Sequence, residues 1–305
     1  MTGAQRWELL RALGVVADSP SGARAACETL GLPGPDRAEH IDVFVLNCPP
    51  YASVHLGAEG ALGGEAADRV AGFWRAIGVT PPAEPDHVTA LLSLYASLGE
   101  AATDSRSAVT ADALTRARQA LFWEHLWPWL PGYLEAVASL ETPAMAAWAR
   151  LTRRALQAER AAHPGGWLPL ALRDAPGPVT TDGPLKDLLD GLIAPVRSGL
   201  ILTRRSLATG ADAAGAGHRI GERRFTLRAM LEQAPAGTLR WLSGEAARWS
   251  RRHAAPAAGE NSGQHGPDIV QAWWARRAVQ TARTLARAAS TGTDGATREP
   301  AGAAG

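Results

Sequence analysis

Apolar positions recur at three- and four-residue intervals along most of this chain, the period of one face of an α-helix. In "QRWELLRALGVVA" Trp7, Leu10 and Leu13 fall on one side. "AEHIDVFVLN" repeats the pattern with Ile41, Phe44 and Val45, and "EAADRVAGFWRAIG" with Val70, Phe73, Trp74 and Ile77. "DHVTALLSLYASL" sets Val88, Leu91, Leu92, Tyr95 and Leu98 on one face. "LTRARQALFWEHLWPWL" aligns Leu114, Leu121, Phe122 and Leu126, and its helix should stop near Pro128, which cannot continue the hydrogen-bond ladder.

The second half reads the same way. "TPAMAAWARLTRRALQAERAAHPGG" opens with Thr142 as a cap and Pro143 at the first helical position, and it ends on His163, Pro164 and Gly165. "GPLKDLLDGLIAPVRSGLILTRRSLA" predicts a helix kinked at Pro195, and three further periodic stretches follow. No alternating strand pattern, internal repeat or heptad seam stands out. The expectation is an all-α fold, a single globular domain of roughly ten helices. Breaks fall at 163–183, 209–218 and 254–267. They suggest a helical domain over 1–253, a linker and C-terminal helix over 254–290, and a disordered tail over 291–305.

Composition narrows the function. The 305 residues carry a net charge of only +1, which argues against a nucleic-acid partner. Lys186 is the only lysine, and with the Ala and Gly excess this points to coding bias rather than to an arginine-dependent function. Two cysteines, Cys27 and Cys48, are too few for a disulfide framework and suit a reducing compartment. The N-terminus lacks a signal-peptide pattern and the apolar runs are too short to span a bilayer, so a cytoplasmic protein without stable membrane insertion is expected.

Enzyme signatures are weak. "GAGHRIG" at 215–221 mimics a dinucleotide loop but lacks the GxGxxG spacing and follows no strand. Phosphate-loop, nucleophile-elbow, HExxH and CxxC patterns do not occur. Cys48, His55, His87 and His125 could converge on a metal only through the fold, since they have no local ligand spacing.

Three stretches break the helical monotony. In "NCPPYASVHLG" (47–57) prolines stiffen a loop carrying Pro50, Tyr51, Ser53 and His55, either as a rigid connector or as a scaffolded binding loop. In "PPAEPDHVTALLSLYASL" (81–98) Asp86 is placed to cap the following helix, while Glu84 and Asp86 together leave a negative spot that could pair with a basic peptide. In "FWEHLWPWLPGY" (122–133) Phe122, Leu126 and Trp129 share one face and Trp123 and Trp127 another, so the stretch is deeply buried or offers a surface to a partner.

The order and spacing of these stretches, about 40 to 140, resemble the TorD/DmsD/NarJ family of redox-enzyme maturation chaperones. The landmarks are "PPYASVHLG", "RVAGFWRAIG", "EPDHVTALLSLYASL" and "FWEHLWPWLPGY". The resemblance implies an all-helical, non-catalytic chaperone for a molybdenum enzyme of the DMSO-reductase type. Its partner would be the apo-form of the molybdopterin catalytic subunit, held by its N-terminal, often twin-arginine, leader until cofactor insertion. It implies no resident cofactor, with transient contact to the molybdenum cofactor conceivable. The residues carried over are Pro50, Tyr51 and Ser53 of the loop, Glu84, Asp86 and His87 of the E-P-x-D-H element, and His125, Trp127, Trp129 and Pro131 of the third element. Two other readings remain: an all-α metal protein or enzyme using His87 and His125, and a helical accessory subunit of a redox complex.

Overall fold

The structure, a computed structural model, describes residues 3–163, 165–217, 221–255 and 268–296. Every regular element among them is helical, in line with the all-α expectation. In chain order these are α1 (Gly3–Val15), α2 (Pro20–Thr29), α3 (Arg37–Ile41), α4 (Ala52–Leu56), α5 (Gly64–Ala76) and α6 (Val88–Asp104). Then come α7 (Ala108–Ala120), α8 (Leu130–Ala138), α9 (Pro143–Ala161), α10 (Leu170–Arg173) and α11 (Leu185–Ile193). The rest are α12 (Pro195–Ser198), α13 (Arg204–Ala214), α14 (Arg223–Gln233), α15 (Pro235–Ala254) and α16 (Ile269–Ala296). Two π-helical turns, Asp42–Asn47 and Leu121–Leu126, continue α3 and α7. No helix among the described residues is long and apolar enough to cross a membrane.

The helices outnumber the expected ten because short helices such as α2, α4 and α10 form outside the expected stretches and because one long stretch is divided. The helix expected to kink at Pro195 is instead divided: α11 ends at Ile193, α12 is one short turn, and Gly199 in the left-handed region (φ 74°) ends it. Pro143 does open α9, but the Thr142 hydroxyl makes no cap bond and is buried without a partner. The chain divides into two compact units, Met1–Ala175 with Pro256–Gln271, and Pro176–Ala255 with Ala272–Gly305. The tail expected to be disordered from 291 begins within α16, and 297–305 lies outside the described residues.

In the first unit α1 lies against α6 so closely that a Cβ at Gly99 would fall 2.5 Å from the Trp7 ring. The Thr89 hydroxyl donates to the Gly14 carbonyl at 2.7 Å, and Trp148 of α9 donates to the Leu13 carbonyl at 2.9 Å, so three helix faces close on one core. Beneath them Glu159 is buried between Arg6 and Arg118, with the Tyr95 hydroxyl donating to it. A buried carboxylate is tolerable only with such partners. Val45, expected on the core face, is 62% exposed. The buried face runs instead through His40, Val43, Phe44 and Asn47, one step round from the expected register, so Val45 points outward while Phe44 stays in the core, edge-on to Trp148.

Candidate functional site

The proline loop and the Glu84–His87 turn meet as a short antiparallel clasp within the first unit. Val88 N–H donates to the Pro50 carbonyl at 2.9 Å, Ala52 N–H donates to the Asp86 carbonyl at 3.0 Å, and Tyr51 pairs with His87 between them. Prolines 49 and 50 suit this position because the clasp asks of Pro50 only its carbonyl.

Asp86 does not cap the helix that follows it. It is 3% exposed, and its carboxylate accepts the Ser53 N–H at 2.9 Å, so it caps α4, a helix more than thirty residues upstream. The cap of α6 is His87, whose Nδ1 accepts the Thr89 N–H at 3.2 Å. Burial lowers the His87 pKa, with Glu84 opposing that shift. Ser53 is fully buried and its hydroxyl accepts the Gly63 N–H at 3.2 Å, fastening the next turn. These groups lock backbone.

Tyr51 and Glu84 are different. Glu84 is exposed, and the half-buried Tyr51 donates its hydroxyl to the Glu84 carboxylate at 2.9 Å. The Tyr51 ring meets His87 edge-on at 4.7 Å. Burial, then the Glu84 hydrogen bond and charge, push the Tyr51 pKa up to about 12, so the phenol remains a donor at neutral pH. The result is a carboxylate held at the surface by an oriented phenol.

The third element reaches the same region from inside. Trp129, 2% exposed, stacks on His55 of the first stretch at 5.1 Å and donates to the His125 carbonyl at 2.8 Å. Tyr133 donates its hydroxyl to the Cys48 carbonyl at 3.3 Å. His125 packs on Phe73 of α5 at 5.0 Å; burial, then the charge of Arg69, holds it at about 4 and therefore neutral. Trp127, 6% exposed, stacks on Phe122 and donates to Asp268 at 3.0 Å, and Pro131 is buried. Thus the three stretches share one body, but His125, Trp127, Trp129 and Pro131 are packing groups rather than an open aromatic wall. Their burial is the sequence's own alternative for this stretch.

Among the described residues no group of three or more His, Cys, Asp or Glu side chains is placed to hold a metal ion. His87 faces Tyr51 and Thr89, whereas His125 faces Phe73.

A feature the three stretches do not contain lies beside them. A groove of about 750 Å³ opens between the end of α5, α6 and α7, lined by Trp74, Ile77, Val79, Leu94, Leu98 and Leu114 among others. Trp74 is one of the lining residues, and its indole N–H donates to the Pro85 carbonyl at 3.2 Å, which ties the groove to the Glu84–His87 turn. The available signal was α7 itself, whose groove-facing residues include the small Ala113 and Ala117 and which buries no residue fully.

Residues 37–135 match the nitrate reductase delta subunit family. The match covers about a third of the chain and contains all ten residues carried over from the motifs. The matched family is one of NarJ/TorD-type molybdoenzyme maturation factors, in agreement with the resemblance carried by the motif order. No curated protein and no solved structure matched the chain. Within the delta-family segment, the clasp and the groove wall formed by α5 and α6 lie close together in sequence.

Proposed function

We propose that this protein is a cytoplasmic chaperone that holds the N-terminal leader of a molybdopterin oxidoreductase apoenzyme until its cofactor is inserted. The observation carrying this reading is the adjacency of the exposed Tyr51–Glu84 pair to the apolar groove through the turn that links Pro85 to Trp74. A leader consisting of a basic pair and an apolar stretch is chemically complementary to that arrangement. Its arginine fork would meet the Glu84 carboxylate. Its apolar segment would lie along Leu94, Leu98 and Leu114, burying surface at about 25 cal/mol per Å². The groove then supplies most of the affinity and the carboxylate most of the register.

Asp86, His87 and Ser53 serve by holding the clasp. His125, Trp129 and Pro131 serve by holding α4 and α5 from behind. No catalytic step is assigned to any of them.

The reading is tested by titrating full-length protein with a synthetic peptide containing two arginines followed by an apolar stretch, using fluorescence anisotropy. Ala117→Trp fills the groove from α7 and should weaken binding at least tenfold while leaving helicity unchanged. Unaltered affinity in that variant would remove the groove from the site.

A further inference from the structure

The second unit contains a charge arrangement that the leader reading does not use. Gly199 ends α12 with its backbone against α16: a Cβ there would fall 2.5 Å from the Ala278 nitrogen. His253 fixes the junction by donating Nε2–H to the Gly199 carbonyl at 3.0 Å while stacking on Trp274. This contact brings together the segments that carry Arg197 and Arg277. The Arg277 guanidinium lies over the Trp273 ring at 4.7 Å and donates to the Pro176 carbonyl at 3.0 Å. The Arg197 guanidinium is backed by α11, its Cζ only 3.8 Å from where a Gly191 Cβ would stand. Its Nε is buried and bonded to nothing.

Burial, then the positive charge of Arg197, lowers the Arg277 pKa. Among the described residues neither guanidinium lies within ion-pair distance of a carboxylate. Six other arginines, Arg6, Arg118, Arg153, Arg160, Arg224 and Arg248, each reach a carboxylate. Two half-buried guanidiniums side by side with no carboxylate partner form a costly arrangement that an anion would relieve. Both side chains remain partly exposed, although the Arg197 Nε itself is not.

We propose that Arg197 and Arg277 form a binding site for a phosphate group in the second unit. Two planar N–H forks match oxyanion geometry, and a phosphate dianion balances both charges where a carboxylate would leave one in excess. The Trp273 ring holds one fork and α11 backs the other, so the site is largely formed before the ion arrives. This inference is independent of the leader site, since none of its residues belongs to the delta-family segment.

Full-length protein titrated with inorganic phosphate, at ionic strength matched with chloride, tests it by thermal shift and calorimetry. The expected result is a saturable rise in melting temperature and one binding event per chain. Arg197→Gln and Arg277→Gln should each weaken binding at least tenfold, while in chloride alone they melt at the parent temperature or higher because one unbalanced charge is gone. Glycerol phosphate run in parallel identifies the source: tighter binding than inorganic phosphate points to an organic phosphate ester, weaker binding to the free ion. A response to acetate as strong as that to phosphate would overturn the assignment. So would a non-saturable response or equal binding by both variants.

Discussion

The clasp around Tyr51 and His87 and the tryptophan stretch around Trp129 stand side by side yet solve opposite problems. In the clasp, polar groups are spent on backbone: Asp86 caps α4, His87 caps α6, and only Tyr51 and Glu84 keep a polar face toward solvent. In the tryptophan stretch, aromatic rings are spent on filling space, and their N–H groups are satisfied internally by the His125 carbonyl and by Asp268. An aromatic-rich motif is therefore poor evidence for a contact surface, whereas a single oriented carboxylate is better evidence. The two regions should answer mutation in different currencies, stability for one and affinity for the other.

The largest effect belongs to the tryptophan stretch. Trp129→Ala removes a fully buried ring stacked on His55 and should cost about 3–5 kcal/mol, read from denaturant unfolding. A loss below about 1 kcal/mol would mean that the ring is not packing the core.

Acid gives the next effect. Unfolded, His125 titrates near 6.5; folded, burial and then Arg69 hold it at about 4. Below pH 6.5 the unfolded chain binds a proton that the folded chain refuses, so stability falls as pH drops and the loss is complete below about 4. This one group contributes about 3 kcal/mol to that loss. His163 is lowered to about 4 as well, chiefly by burial, so the contribution of His125 is isolated by comparing the parent with His125→Gln from pH 7 to 4.5. The variant should lose less stability over that range.

A smaller effect falls on the clasp. Asp86→Ala leaves the buried Ser53 N–H without its acceptor and uncaps α4, at about 1–3 kcal/mol. If Asp86 instead capped its own helix, hydrogen exchange would quicken at the start of α6 rather than at Ser53 and Val54.

Much of this was legible from residue order. The periods of α1, α5, α6 and α9 are local properties, and the helices lie where the spacing put them. What escaped was non-local or depended on register. Val45 faces outward because Ile41, Phe44 and Val45 fit helical spacing as well as His40, Val43, Phe44 and Asn47 do, and only the fold selects the second register. Asp86 was assigned the nearest N–H groups, but the fold offered it those of a helix far upstream. The groove exists only between helices, where the small side chains of α7 leave space, and no single periodic stretch encodes that gap. The boundary between the two units at Pro176 falls within the Pro/Gly-rich break at 163–183 that residue order marks.

The central claim is that a guest peptide meets the acid corner and not the tryptophan stretch. It is tested most directly by peptide affinity in two variants measured together, Glu84→Gln and Trp129→Phe, with folding checked by circular dichroism. The account predicts that Glu84→Gln weakens binding several-fold and flattens its salt dependence, while Trp129→Phe stays within twofold of the parent. A variant pair behaving the other way round, affinity lost with Trp129 and kept without the Glu84 charge, would contradict it.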